Sequence, residues 1–278
     1  MKHKLLTKAV RPDRSSPQGQ PVARKRLLPK WYPLWAVFIV VLSYLLSAVV
    51  GELLLVLYGL SRGWGLGEIE SWLTTSTTAQ FVNAIIVYTV MAAIIYYAIR
   101  RTKVSLREFG LVRPRLRDLG VAFLGVPAYL VGYIVLLTAM TALFPAIDVE
   151  QEQQLGFEPS QSILALTLTF VCLVVLPPIV EELVMRGYLF TSLRNGGKFW
   201  VPAIVTSVIF GVAHLQLGIG APPLWVAAID TFVLSMIACY MRFKTGSLWP
   251  AILLHGAKNG LAFTVLFLFP LWGITYFN

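Results

Sequence analysis

Residues 177–190 read PPIVEELVMRGYLF and lie within one of the most apolar stretches of the 278-residue chain. Glu181, Glu182 and Arg186 stand there, where a hydrocarbon core is otherwise called for. An ionisable group at membrane depth costs about 2.5–3.5 kcal/mol on insertion scales, so three of them mark a functional site by default.

The surroundings establish the fold class. Hydrophobic residues make up 57% of the chain, charged residues 13%, and the mean hydropathy is +0.74. Soluble domains carry about 25% charge, so this is an integral membrane protein. Apolar segments at 34–60, 78–99, 119–143, 162–192, 199–216, 224–241 and 247–273 each approach or exceed the ~17–25 residues that a spanning helix needs. Runs of this length suit helices rather than barrel strands, because each helix satisfies its own backbone. The expectation is an all-α polytopic bundle of seven to eight helices, with the membrane domain at 31–278.

Charge gives the orientation. Residues 1–30 hold nine Lys or Arg against Asp13 alone, so +8 of the net +10 lies there. The 100–118 loop, the RNGGK turn (194–198) and the RFK turn (242–244) are also basic, whereas 144–160 carries Asp148, Glu150, Glu152 and Glu158 with no basic residue. The positive-inside rule places the N-terminus and the basic loops in the cytoplasm, and seven crossings then leave the C-terminus outside. The expected location is the plasma membrane, with the lipid bilayer as the first partner. Because the basic excess follows topology, it gives no support to nucleic-acid binding. Residues 1–30 lack an apolar period and are expected to be a disordered tail suited to anionic lipid. The first apolar run is too long for a signal-peptide core and reads as a retained anchor. Cys172 and Cys239 both fall inside spans and read as small core residues.

Three polar clusters lie in the C-terminal half: EELVMR (181–186), FGVAH (210–214) and HGAKN (255–259). Glu182 and Arg186 are i,i+4 neighbours and should pair. Glu181 points about 140° away from Arg186 and stays available. His255 and Asn259 share a face, and Phe210 lies one turn before His214. At ~1.5 Å per residue from the nearest basic turn, Glu181 lies ~20 Å deep, His214 ~24 Å, and His255 and Asn259 ~14 and ~20 Å. Four polar groups on three helices therefore approach one level. Asp230 and Lys258 reach ~18 Å on the same count; either they pair between helices, or Lys258 snorkels along the cytoplasmic cavity while Asp230 faces water independently. Pro177 and Pro178 should kink the helix and free the carbonyls of Leu173 and Val174, leaving a hydrated cavity around Glu181.

Such a group permits three chemistries. A glutamate can take a proton from water while histidines and an amide steady an oxyanion, giving peptide hydrolysis. Two histidines and a carboxylate can bind zinc. Intramembrane carboxylates and histidines can also relay protons in a transporter.

At these residues the chain resembles the CAAX protease and bacteriocin-processing (CPBP or ABI) family of intramembrane endopeptidases. EExxxR matches Glu181, Glu182 and Arg186; FxxxH matches Phe210 and His214; HxxxN matches His255 and Asn259. The resemblance covers about 105–265 and does not reach the first two helices. It implies a helical fold with a conical chamber open to the cytosol and a metal-free mechanism without cofactor. Glu181 and His214 would activate water, His255 and Asn259 would hold the oxyanion, and Glu182, Arg186 and Phe210 would support them. The implied partner is a peptide or membrane-protein substrate. Some relatives act without proteolysis, so a scaffold or immunity role stands as the alternative. Asp230 and Lys258 fall outside the pattern.

Overall fold

The computed structural model describes residues 28–30, 32–151, 156–157, 160, 162–216 and 222–274. Expectations for residues 1–27, and for Glu152 and Glu158, lie outside the described residues. Eight helices form the fold, without a strand among the described residues. They are α1 Tyr32–Ser61, α2 Leu66–Thr75, α3 Thr77–Arg101, α4 Leu116–Leu143, α5 Ile163–Arg194, α6 Trp200–Val212, α7 Trp225–Thr245 and α8 Trp249–Trp272. All but α2 and α6 are long and apolar enough to cross a membrane.

Two helices depart from the sequence expectation. The segment 199–216 was expected to span, but α6 has 13 residues. At ~1.5 Å each this is ~20 Å, short of the ~30 Å hydrocarbon thickness. The helix ends before His214, and the Leu224 N–H donates to the Leu215 carbonyl at 2.7 Å, closing the turn into α7. Helix α2 escapes a search for apolar runs because Glu68, Glu70 and Ser71 interrupt its sequence. Only one of its faces is buried: Ile69 packs onto Gly59 of α1, and Trp72 joins Tyr58 and Trp64 in an aromatic cluster.

Small residues set the closest packing. Ser43, Ser47, Gly51 and Gly59 are buried on one stripe of α1. Gly51 meets Asn83 and Val87 of α3, where a Cβ would collide with both side chains. Close backbone approach of this kind is how helices associate where lipid is as apolar as leucine. The backbone N–H and carbonyl of Leu28 both bond to the Asn195 side chain at 2.7 Å, fastening the entry to α1 against the end of α5.

At the basic end of the bundle the 105–118 segment is pinned to the α7–α8 turn. Arg242, in the turn read as cytoplasmic, is 5% exposed. Its Nη2 donates to the Glu108 carbonyl at 2.7 Å, and Leu248 N–H and Trp249 Nε1 donate to the carbonyls of Gly110 and Val112. Gly110 has φ +88°, and a Cβ there would meet the Arg242 guanidinium, so glycine is required twice over.

Mid-bundle, Lys258 Nζ of α8 pairs with Asp230 Oδ2 of α7 at 2.7 Å. The Tyr129 hydroxyl of α4 donates to the other carboxylate oxygen, so one aspartate ties three helices. Asp230→Asn and Lys258→Met should each lower thermal stability in detergent by about 2–4 kcal/mol, scaled down for partial exposure from the loss seen when a buried pair is broken. The double variant should recover most of the loss. Additive losses in a double-mutant cycle would show that the two charges act independently.

Candidate active site

Helix α5 is not a uniform α-helix. It widens into π turns over Val171–Val175 and Leu183–Leu189, on either side of Leu176–Glu182. Inserted turns of this kind recur at functional sites because they free a carbonyl or re-aim a side chain. Here the first wide turn precedes Pro177 and Pro178 and accommodates their missing N–H groups, so the helix continues through the point where a kink was expected. Asn259 Nδ2 of α8 donates to the freed Leu173 carbonyl at 2.8 Å. The Val174 carbonyl faces Gly256 of α8, where a Cβ would sit in ordinary contact at 3.7 Å.

The paired glutamates have separate surroundings. Glu182 and Arg186 are fully buried, with Arg186 Nη1 donating to Glu182 Oε1 at 2.8 Å. The same oxygen accepts from His255 Nδ1 at 3.0 Å, a contact that sequence spacing had not indicated. Glu181 is 8% exposed, and its Oε1 accepts from the Tyr88 hydroxyl of α3 at 3.1 Å. Its Oε2 is buried without a hydrogen-bond partner among the described residues.

Phe210 is the apolar hub between these groups. The Arg186 guanidinium lies over its ring at 4.7 Å, the His214 ring meets it edge-on at 4.7 Å, and the His255 ring does so at 6.0 Å. The cation–ring contact helps to compensate a guanidinium that has lost water. His214 Nδ1 lies 2.8 Å from the Phe210 carbonyl. A carbonyl only accepts, so Nδ1 carries the proton and Nε2 of the neutral ring presents a lone pair. Glu181, His255 and Lys258 all lie within electrostatic reach of His214.

The structure therefore links six of the residues singled out by sequence, Glu181, Glu182, Arg186, Phe210, His214 and His255, while the Asn259 amide, one turn beyond His255 on α8, is engaged with the Leu173 carbonyl. Access differs from expectation. Glu181 is buried where a hydrated cavity was expected, with the Tyr88 hydroxyl of α3 on its Oε1. The site is more open towards His214 and Asn259, both half-buried. A separate apolar cavity of about 340 Å³ lies between α4 and α8, lined by Tyr129, Leu254, Lys258 and Leu261.

Sequence reasoning missed Tyr88 and Tyr44. Tyr44 of α1 has a buried hydroxyl with no hydrogen-bond partner among the described residues, within electrostatic reach of Glu181, Glu182 and Arg186. A signal existed. Tyr88 lies 13 residues before Arg101 at the basic end of α3, the same count that separates Glu181 from Arg194, and a phenol at that depth needs a polar partner.

Comparison with known proteins agrees with this geometry. The family described as Rce1-like, type II CAAX prenyl endopeptidase, matches residues 163–261, which hold every motif residue. The match is to the CAAX protease family and covers less than half of the chain. An uncharacterized 24.3 kDa protein of Escherichia coli is 29% identical over 143 residues, 51% of this chain. The chain spans 62% of the length of that relative. No solved structure matches.

Removing the Glu182 carboxylate leaves Arg186 charged and buried without its counter-ion. Glu182→Gln should therefore destabilise the protein by about 3–5 kcal/mol, read as a lowered midpoint of thermal unfolding in detergent. A midpoint equal to wild type would show that the pair is not what holds α5.

Proposed function

We propose that the chain is an intramembrane endopeptidase in which Glu181 and His214 activate water. One observation carries this reading. Of two adjacent carboxylates, each with one buried oxygen lacking a hydrogen-bond partner among the described residues, Glu182 is engaged through Oε1 by both Arg186 and His255, whereas the contact of Glu181 Oε1 is with a neutral phenol. A carboxylate kept unpaired by a cation at membrane depth is costly unless it has chemical work to do.

In the proposed reaction a Glu181 oxygen accepts a proton from water as the water oxygen attacks the scissile carbonyl carbon. The carbonyl π electrons move to oxygen and form a tetrahedral oxyanion. Donors for that oxyanion are His255, through Nε2 when the ring carries both protons, and the second N–H of the Asn259 amide. Collapse expels the amine, which takes a proton from protonated Glu181 or by way of His214. The products are a carboxylate and an amine, so the proton count closes without a metal or cofactor.

The substrate class we assign is a membrane-associated peptide or protein. The basic loops support a plasma-membrane orientation with the N-terminus and the site opening cytoplasmic. A non-catalytic scaffold is the second reading. The Asn259–Leu173 contact favours it, since pinning a π turn is a structural task.

Glu181→Gln in reconstituted vesicles separates the two. Loss of about 10²–10⁴-fold in peptide cleavage with unchanged thermal unfolding is expected for a general base, and turnover within tenfold of wild type would remove Glu181 from that role. Exhaustive chelation should leave the wild-type rate intact. Stoichiometric zinc whose removal abolishes cleavage and whose return restores it would establish the metal site instead.

A further inference from the structure

We infer that Tyr88, outside the family-matched segment, is a positioning residue for Glu181: its hydroxyl occupies Oε1 and leaves Oε2 to accept the water proton. The inference deepens the hydrolytic reading and rests on it for the identity of the proton transferred.

The two oxygens of a free carboxylate are chemically equivalent, and rotation about χ3 exchanges them. Here they are not equivalent. Oε1 is engaged by Tyr88 of α3 at 3.1 Å, and Oε2 is buried with no partner. Glu181 follows Pro178 by three residues and stands at the end of the α-helical piece of α5, just before the second π turn. The helix backbone thus fixes where the side chain begins, and the phenol fixes how its far end is turned.

Tyr88 is itself held. It packs on the core formed by Met91, Ile95, Val180 and Val184, and Tyr44 of α1 stands in the same wall. Gly51 of α1 seats against Val87, the neighbour of Tyr88, so the close α1–α3 packing bears on where this phenol stands. The N-terminal helices would then be part of the catalytic unit, because without them the carboxylate has no reference for its orientation. A phenol suits the task. It supplies one hydrogen bond without a competing charge, so Glu181 keeps its capacity to take a proton.

The test uses the full chain in vesicles. The carboxylate stretching band of Glu181 is assigned by infrared difference against Glu181→Gln, then compared in wild type and Tyr88→Phe. The same vesicles carry an internally quenched fluorescent transmembrane peptide as the cleavage probe. The expected result is a shifted Glu181 band, kcat lowered about tenfold and KM within about twofold, consistent with losing one hydrogen bond to a charged group. Fluorotyrosines placed at position 88 keep the volume and alter donor strength, so kcat and the band should move in graded order; a purely structural role gives no such series. If the wild type cleaves nothing yet the band moves, the hydrolytic reading falls and the Tyr88–Glu181 assignment stands. A Glu181 band unmoved by Tyr88→Phe and by every fluorotyrosine overturns the inference, whatever the rate.

Discussion

One oxygen atom organises this protein. Glu182 Oε1 accepts from Arg186 on its own helix and from His255 on α8, with all three side chains buried or nearly so. Taking a guanidinium and a carboxylate out of water costs several kcal/mol per ion, so the arrangement persists only because the ions meet at short range with added hydrogen bonds and ring contacts. In return the rotation of α8 about its axis is fixed relative to α5. Phe210 of α6 then finds its place against Arg186 and both histidines. Each catalytic candidate outside α5 is located through contacts that lead back to this pair.

A second polar contact governs the same helix from the other side. Lys258 adjoins Asn259 in sequence and pairs with Asp230, which Tyr129 also engages. Helix α8 is therefore held by polar contacts to α5 on one face and to α7 on another, and α7 is tied in turn to α4. Apolar packing alone would set the spacing of these helices and leave their rotation loosely determined, since leucine in lipid and leucine against leucine differ little. Directional polar contacts at depth supply what packing lacks.

The sequence made much of this legible, for identifiable reasons. Hydropathy marks seven of the eight helices, six of them long and apolar enough to span. The i,i+4 spacing of Glu182 and Arg186 reports a local contact that helix geometry nearly guarantees. Depth counting brought Asp230 and Lys258 to one level, and they pair. What stayed hidden depends on the rotation of separate helices about their axes. His255 on Glu182, Tyr88 on Glu181 and Asn259 on Leu173 are long-range contacts with no spacing rule behind them. Helix α6 was overestimated because hydropathy continues past Val212 while the helix does not, and α2 was overlooked because an interfacial helix need not be apolar. The two prolines pointed to the Leu173 and Val174 carbonyls as the ones freed, but the wide turns themselves, and the Asn259 amide that meets Leu173, depend on how α8 comes to pack there.

The central claim is that water, activated at Glu181, enters the new carboxyl terminus of a cleaved membrane peptide. The most direct measurement is cleavage of membrane-peptide extracts in ¹⁸O-labelled water by purified wild-type and Glu181→Gln protein, with mass spectrometry of the new C-termini. The account predicts C-termini carrying solvent ¹⁸O from the first turnover, present with wild type and missing with the variant. New C-termini without label in a single turnover, or none that depend on Glu181, would contradict it.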